Sequence, residues 1–444
     1  ARIAAAALGI GIVEQAIVFE TGRDLYVFPV MFVIVVGALM LARPRDRGSR
    51  VEDQEVSTWQ AAREVRPIPT ELRSLPIVRN TQIALYGLVA LFILTLPMWL
   101  GDSKLLIATA TGIIAIIAIS LVLLTGWAGH VSLGQLAFAA VGGAVGAYVT
   151  QDQGWDLFFA LVLGGLAGAV LAVVIGIPAA RAGGLTLAIT TLALAPAVLY
   201  WLLNPEFFDW VPRGGFRTDP ELFGRIEIKS QTSFYFLTLA LLAITIAVAY
   251  GIRRTRTGRV LIALRENPRA AESYGINVLR TQLAAFAISG FIAATAGVMF
   301  VHHQHTISQS IGGNNPFSAE ASLRVFAIVV IGGLASIPGA ILGAIYVFAM
   351  QYYMLDEFQF LATGIGLLLI LLVLPGGLGA GLAEVRDGFL RFIARRRNII
   401  VPSLLADRRD ESLDVSPAAA AAIAAAVADA VERPEIEEVA ELRQ

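Results

Sequence analysis

The chain has 444 residues, of which 57% are hydrophobic and 15% charged, and its mean hydropathy is +0.73. This composition excludes an ordinary soluble globular protein and is typical of a chain that lies mostly within a membrane. A net charge of −1 gives no indication of a nucleic-acid partner, and the lack of cysteine excludes disulfide frameworks and thiolate metal sites.

About eleven apolar segments are candidates for membrane spans, because a spanning helix needs roughly 20 apolar residues. In chain order they are Leu25–Ala42, 81–100, 105–125, 134–150, 157–179, 184–203, 233–251, 281–302, 322–336, 337–355 and 359–375. Backbone groups in lipid must be hydrogen-bonded within their own segment, so we expect helices. The sequence therefore predicts an all-α fold, a polytopic transmembrane helical bundle of about ten or eleven spans.

The segment 1–50 contains the first of these spans and weakly repeats a later part of the chain. Leu8–Gly11, followed by an apolar run, a polar patch, a span and Arg43-Pro44, resembles the stretch from Leu342 to Gly376. Such an internal repeat predicts that 1–50 is the end of a first membrane unit and 81–380 a complete second one. We expect 51–80 to be a cytoplasmic linker and 381–444 a basic, then Ala/Glu-rich, cytoplasmic tail that is mobile from Ala406 onward.

Arginine clusters at 43–50, 253–259, 265–280 and 391–397 determine the predicted orientation. The positive-inside rule places them in the cytoplasm. Threading the ten segments from 81 to 375 through a membrane puts every cluster on that side, with both ends of the domain inside. The sequence therefore predicts a multi-pass protein with a cytoplasmic C-terminus and makes 204–232 the main external loop.

Two glycine-rich breaks interrupt the apolar segments, at 126–134 and at 332–339. Irregular backbone survives at membrane depth where it lines a cavity or is buried in protein, so each break is a candidate for the translocation pathway. The alternative is an ordinary cytoplasmic turn between two helices. The pathway or substrate candidates are Gly129, Ser132, Gln135, Gly332 and Gly333, although Ser132 and Gln135 could equally hydrogen-bond neighbouring helices.

The segment from Thr257 to Ile276 lies between two long apolar spans and contains signals for a short helix. Asn267 is suited to the N-cap, Pro268 to the first helical position, and Gly275 to the left-handed residue beyond the end. A short amphipathic helix outside the bilayer, joined at both ends to membrane helices, would let a soluble partner move the membrane part.

Four runs carry a specific resemblance: GWAGHVSLGQLAFAAVGGAVGAYV (126–149), RAGGLTLAITTLALAPAV (181–198), GRVLIALRENPRAAESYGINVLRTQLAAFAISGFIAATAG (258–297) and IGGLASIPGAILGAI (331–345). In this order and at these separations they resemble the inner-membrane permease of the branched-chain (hydrophobic) amino-acid ABC importers. The likeness covers roughly 80–380 and is to the second of that family's two permease subunits. Residues 1–50 resemble the end of the first subunit, which suggests a fusion. The external run 212–216 departs from the family pattern, so substrate preference does not carry over from it.

The resemblance implies a permease subunit of a bacterial inner-membrane importer that moves branched-chain or other hydrophobic amino acids by alternating access. ATP and Mg would be bound by separate cytoplasmic ATP-binding-cassette ATPase subunits, so this chain would carry no cofactor and would not be an enzyme. The other implied partners are an extracytoplasmic substrate-binding protein, a second permease unit and membrane lipid. The stretch 252–280 becomes the coupling loop, with docking residues Gly258, Arg259, Arg265, Glu266, Ala270, Ala271, Glu272 and Gly275.

Two features of the sequence itself also indicate that this chain does not supply the energy for transport. It has no Gly-x-x-x-x-Gly-Lys-Ser/Thr run for nucleotide phosphates, and its spans do not contain the buried Asp, Glu or Lys typical of ion-coupled carriers. Other hypotheses are the same architecture carrying urea or short amides, an ion-coupled secondary carrier or channel, or a membrane-embedded enzyme. The last would need clustered catalytic polar residues, and none are evident.

Two further features have simple interpretations. Arg181 marks a cytoplasmic helix end or, alternatively, binds a substrate carboxylate. His302, His303 and His305 suggest a metal site by residue type. Since no acidic or cysteine ligand lies near them, we expect an interfacial polar rim and no bound metal.

Overall fold

The computed structural model describes residues 2–41, 70–73, 75–182, 184–211, 221–305, 315–353 and 356–397. Most of the predicted linker, the external run 212–216 and the Ala/Glu-rich tail lie outside the described residues. The chain forms two compact units: Ala1–Arg66 with Ala84–Val385, and Pro67–Ile83 with Arg386–Gln444. We call them the membrane unit and the small unit.

The described residues are mostly helical, as predicted. The helices are α1 (Arg2–Thr21), α2 (Val27–Leu41), α3 (Thr70–Arg73), α4 (Pro76–Trp99), α5 (Asp102–Leu121), α6 (Gln135–Gln151), α7 (Leu157–Ala182), α8 (Gly184–Ala197), α9 (Gln231–Arg254), α10 (Arg256–Glu266), α11 (Pro268–Ser273), α12 (Val278–Gln304), α13 (Ala319–Gly332), α14 (Ile337–Tyr353), α15 (Asp356–Val373) and α16 (Gly377–Arg396). A 3-10 turn covers Asp24–Tyr26, and π-helical turns extend α5 over Val122–Trp127 and α8 over Val198–Leu202. One small antiparallel hairpin pairs β1 (Glu221–Leu222) with β2 (Ile226–Glu227).

Each predicted span coincides with one of these helices, but not every one of these helices is long enough to cross a membrane. Among the described residues, five helices are long and apolar enough to cross a membrane: Pro76–Trp99, Asp102–Trp127, Leu157–Pro178, Gln231–Arg254 and Val278–Gln304. Three shorter apolar helices are Val27–Ala38, Leu187–Leu202 and Ile337–Tyr353. Helix α13 has 14 residues, about 21 Å at 1.5 Å per residue, which is less than the bilayer core.

Helix α12 lies at the centre of the membrane unit and is buried along most of its length from Ala285 to His303. Small residues let α6 and α7 approach it closely. A Cβ on Gly297 would overlap the carbonyl of Ala139, and one on Gly168 would lie 2.9 Å from the carbonyl of Gly290. Packing of backbone against backbone is the usual basis of helix association in lipid, because burial from water contributes little there.

The helices of the membrane unit alternate in direction, so its loops gather at two ends. At one end, which we call the arginine end, the 126–134 break lies against α10, and Gly333 lies against Gly376. At the opposite end Asp156 accepts a hydrogen bond from Gly224 N at 2.7 Å, and His303 contacts the carbonyl of Leu106 at 3.1 Å. This alternation from α4 to α15 agrees with the threading predicted from the arginine clusters.

Helix α1 is an addition to the single span predicted for 1–50. It is joined to α2 by a turn at the opposite end, where Arg23 forms an ion pair with Glu206 at 2.8 Å. Aromatic contacts beside it pair Tyr26 with Phe207, with ring centroids 5.0 Å apart, and Phe28 with Tyr200, 4.7 Å apart. The helix–turn–helix α1–α2 follows the same order as α14–α15, the segment that it resembles in sequence.

Candidate functional site

Helix α10 begins the predicted coupling segment and packs one face onto the membrane unit. Gly258, Leu261 and Leu264 are buried, whereas Arg259 and Glu266 are exposed. A Cβ on Gly258 would overlap the carbonyl of Ile252 at the end of α9, so glycine permits the sharp reversal between α9 and α10. The exposed face of α10 is therefore polar and lies at the arginine end.

Helix α11 confirms the short capped helix predicted from the sequence. The Asn267 side chain accepts a hydrogen bond from Ala270 N at 3.0 Å, and Pro268 occupies the first turn. Gly275 has φ +77°, in the left-handed region that favours glycine. Ala271 is buried, while Ala270 and Glu272 are exposed together with Gly275. The predicted docking residues thus divide between an exposed set and a set that anchors the segment.

Arg265, one of the docking residues that the family resemblance implied, is half-buried and also contacts the first break. Its guanidinium donates a hydrogen bond to the backbone carbonyl of Gly126. Gly129, which has φ +76°, lies against the same side chain, and a Cβ there would be 3.0 Å from Arg265 Cγ. Arg265 therefore connects α10 to the first helix break.

A second contact between the coupling segment and the break is made by Arg253 at the end of α9. Its guanidinium lies 5.5 Å from the ring centroid of Trp127, within the range of a cation–π interaction. Trp127 is buried and donates from Nε1 to the carbonyl of Ala335 at 3.4 Å. A Cβ on Gly126 would overlap the carbonyl of Leu334. The two glycine-rich breaks therefore contact each other directly.

The first break is an ordered structure. The π-helical turn Val122–Trp127 ends α5, and the chain then folds back so that His130 N donates to the carbonyl of Leu124 at 3.0 Å. Thr125 Oγ1 donates to the carbonyl of His130 at 3.0 Å. The His130 ring lies 5.7 Å from that of Phe286, and burial lowers the pKa of His130 from 6.5 to about 4. His130 is therefore neutral at physiological pH.

Gln135 connects three helices. Its Nε2 donates to Ser120 Oγ on α5 and to Ser289 Oγ on α12, both at 2.7 Å. Ser289 Oγ in turn donates to the carbonyl of Ser120 at 2.8 Å. Within the described part of the chain, Gln135 Oε1 and Ser132 Oγ are buried without a hydrogen-bond partner. The amide nitrogen thus hydrogen-bonds to neighbouring helices, which is one of the two roles that the sequence left open.

The second break is an abrupt turn between two helices. Helix α13 ends at Gly332, Gly333 has φ +106°, and α14 starts at Ile337. Ser336 Oγ accepts a hydrogen bond from Gly339 N at 3.1 Å and so caps α14. A Cβ on Gly333 would lie 2.6 Å from the carbonyl of Gly376. The turn therefore requires glycine both for its backbone angle and for space.

The prediction of an interfacial histidine rim is wrong for two of its three residues. His302 and His303 are 1% and 4% exposed, because the end of α12 is enclosed by neighbouring helices. His302 Nε2 lies 3.0 Å from Thr150 Oγ1, and His303 Nε2 contacts the carbonyl of Leu106. His305 is exposed. No group of three potential metal ligands occurs among the described residues.

Sequence reasoning missed Ser120, Ser289, Thr191 and the contact between Arg253 and Trp127. Thr191 Oγ1 accepts a hydrogen bond from Leu133 N at 3.0 Å and so holds the break against α8. A hydroxyl within an apolar helix is a recognisable signal, but its partner depends on tertiary packing. Arg181 lies near the end of α7, and its side chain is outside the described residues.

Residues 103–375 match the family described as the branched-chain amino acid transport system / permease component. The chain belongs to this family. The matched region contains both breaks and the whole segment α10–α11, so the features assembled above lie within this permease family. The resemblance of this region to the branched-chain amino-acid permeases, seen in the sequence, is confirmed.

Individual permeases are also similar in sequence to this chain. The chain is 30% identical over 318 residues to the high-affinity branched-chain amino acid transport system permease protein LivM of Escherichia coli (strain K12), covering 66% of this chain and 74% of LivM. It is 33% identical over 145 residues to LivH of Salmonella typhimurium, covering 32% and 44%. The autoinducer 2 import system permease protein LsrC of Enterobacter sp. (strain 638) is 30% identical over 261 residues, covering 57% and 69%. No solved structure shows significant similarity to this chain.

Proposed function

We propose that this permease moves branched-chain or other hydrophobic amino acids across the cytoplasmic membrane by alternating access, driven by a separate ATP-binding-cassette ATPase. The family and the names of LivM and LivH support the cargo class. A permease cannot accumulate cargo without an energy source, and the sequence of this chain has no nucleotide-binding run. The energy must therefore enter through a contact with another subunit.

The observation that carries the proposal is the connection of α10–α11 to both helix breaks. One side of the segment is exposed, with Arg259, Glu266 and Glu272 available to a partner. The other side is attached through Arg265 to Gly126 and, beyond it, through Trp127 to Ala335. A force applied to the exposed side is thus delivered to the two places where the spans are interrupted. Small displacements become discrete conformational changes because packed helices have few alternative arrangements.

In this mechanism the arginine end faces the cytoplasm, in agreement with the positive-inside rule. The ATPase docks on Arg259, Glu266, Ala270, Glu272 and Gly275, while Gly258, Arg265 and Ala271 hold the segment to the spans. An extracytoplasmic binding protein delivers the cargo at the opposite end, and a second permease unit completes the pathway. ATP and Mg are bound by the ATPase, and this chain needs no cofactor of its own.

Docking can be tested by cross-linking, because the chain contains no cysteine. A single cysteine replaces Glu272, and a matched variant places it at the exposed Leu279, just inside α12. We expect a short bifunctional reagent to join Glu272→Cys to the ATPase, with a yield that changes when ATP binds. Equal or absent cross-linking at both positions, in a complex that still hydrolyses ATP, would contradict the docking assignment.

The cargo requires a separate experiment. Proteoliposomes that contain the complete transporter are supplied with labelled leucine and with isoleucine, valine, urea or autoinducer 2 as competitors. We expect isoleucine and valine to compete and the other two compounds to have no effect. Competition by urea would favour the alternative of short amides, and competition by autoinducer 2 would favour the cargo named for LsrC.

A further inference from the structure

The small unit has its own apolar core. Leu72 and Val78, on α3 and at the start of α4, pack with Leu390, Ile393 and Ala394 of α16. Leu75 packs against this cluster from the turn between α3 and α4. The second half of α16 is therefore attached to the beginning of α4, a helix long and apolar enough to cross a membrane.

The same half of α16 exposes a second apolar surface. Phe389 and Phe392, about one helical turn apart, are 42% and 55% exposed, and a contiguous exposed apolar patch marks a protein or membrane interaction site. Arg395 and Arg396 are exposed beside them, and the Arg396 guanidinium lies 5.1 Å from the Phe392 ring centroid. These four residues, Phe389, Phe392, Arg395 and Arg396, are called the basic aromatic face.

The local charge of the last turns of α16 indicates what the basic aromatic face contacts. Residues 386–397 include five arginines, at 386, 391 and 395–397, and one acidic residue, Asp387. Asp387 is paired with Arg386 at 2.8 Å. A helix with exposed aromatic side chains and arginines at one edge is typical of an interfacial helix, whose rings enter the boundary of the acyl chains while the guanidinium groups reach phosphate.

We infer that the basic aromatic face binds the anionic phospholipid surface of the membrane that the chain spans. The small-unit core joins α16 to the first residues of α4, a helix long and apolar enough to cross a membrane, so a lipid surface is the partner that this segment would meet. Anionic headgroups attract juxtamembrane arginines over about a Debye length. The inference does not depend on the cargo or on an ATPase.

Because the chain lacks cysteine, the inference can be tested with single nitroxide labels in lipid nanodiscs. One label replaces Phe392, and a matched control replaces Arg391, the adjacent exposed residue about 100° away around the helix. Electron paramagnetic resonance then compares accessibility to oxygen, which concentrates in lipid, with accessibility to a water-soluble nickel chelate. A label at Phe389 provides a second position if the Phe392 variant does not insert.

We expect the labels at 392 and 389 to favour oxygen severalfold over the chelate, and the label at 391 to favour the chelate. Raising the fraction of anionic lipid should increase the immersion of the 392 label, and Arg395→Gln with Arg396→Gln should remove this dependence. Equal chelate accessibility at 392 and 391 in neutral and anionic nanodiscs would overturn the inference. A 392 label shielded from both reagents would also overturn it, in favour of a protein partner.

Discussion

The guanidinium of Arg265, on the surface helix α10, hydrogen-bonds to the backbone carbonyl of Gly126, at the end of the buried helix α5. This carbonyl lies in a π-helical turn, where the regular i→i−4 ladder is interrupted and carbonyl groups become available to other donors. A charged donor thus links a segment that a partner can reach with a helix that lies within the core. We regard this bond as the main route by which movement of α10 reaches the spans.

Replacing Arg265 should therefore uncouple the transporter. Losing a hydrogen bond made by a charged group costs about 1.5–3 kcal/mol, so we expect Arg265→Ala to lower ATP-driven leucine uptake by about tenfold or more. ATP hydrolysis by the assembled complex should change by less than about twofold, because the exposed docking face is intact. The measurement is uptake and phosphate release in the same proteoliposomes.

Arg259→Ala is the matched control, since Arg259 is on the same helix but exposed. It should weaken assembly with the ATPase, so that uptake and hydrolysis fall together. If Arg265→Ala also lowered both activities in parallel, Arg265 would be a docking residue and the proposed link to Gly126 would be wrong.

The bonds of Gln135 predict a measurable coupling between helices α6 and α12. Hydrogen bonds between membrane helices contribute about 0.6 kcal/mol on average and up to about 1.7. We expect Gln135→Leu and Ser289→Ala each to lower the free energy of unfolding in mild detergent by about 1 kcal/mol. The double mutant should lose less than the sum.

Transport kinetics distinguish this packing role from a substrate contact. With packing alone, Ser289→Ala should leave the half-saturating leucine concentration within about twofold of the wild type, because no bound ligand is affected. An increase of about tenfold without loss of stability would instead indicate that this cluster binds the cargo.

Close backbone packing predicts that a larger residue at Gly297 destabilises the centre of the membrane unit. Gly297→Val forces α12 away from Ala139, and overpacking of this kind costs about 1–3 kcal/mol or more. Gly87→Val is the matched control, because a Cβ at Gly87 has no atom within 4 Å. Thermal unfolding followed by size-exclusion chromatography should show a lower midpoint for Gly297→Val alone, and equal midpoints would refute the packing argument.

His130 predicts a dependence of stability on pH. Burial lowers its pKa to about 4 in the folded chain, against 6.5 when exposed, so protonation favours the unfolded state. The contribution of neutral His130 to the free energy of unfolding is complete above pH 6.5 and is lost as the pH falls towards 4. We expect the unfolding midpoint of the wild type to decrease over this interval more steeply than that of His130→Gln. Parallel pH profiles would show that His130 is not held neutral by burial.

The helices, the breaks and the cap of α11 could be predicted because each depends on a short stretch of sequence. Apolar length indicates a span, and Gly332-Gly333 or Asn267-Pro268 indicates where a helix ends or begins. The roles of individual charged and polar side chains could not be predicted in this way. Arg265 looked like a docking residue, and only the fold brings Gly126, more than a hundred positions earlier, beside it.

His302 and His303, at the opposite end of the membrane unit, are a second case in which the position of a polar side chain could not be predicted from local sequence. Their position near the end of a span suggested an exposed rim, but α12 is the central helix, so its end is enclosed as well. The small unit also joins segments near 72 and 390 that no local pattern connects. Pairing between distant segments is set by tertiary packing, which a single sequence does not display.

ATP-driven transport through this permease is tested by measuring accumulation of labelled leucine in proteoliposomes, with and without the ATPase subunits and with ATP or a non-hydrolysable analogue. We expect accumulation above the external concentration only when the ATPase and hydrolysable ATP are both present, and a strong decrease in Arg265→Ala. Accumulation against a gradient by this chain without ATPase or nucleotide would contradict this expectation.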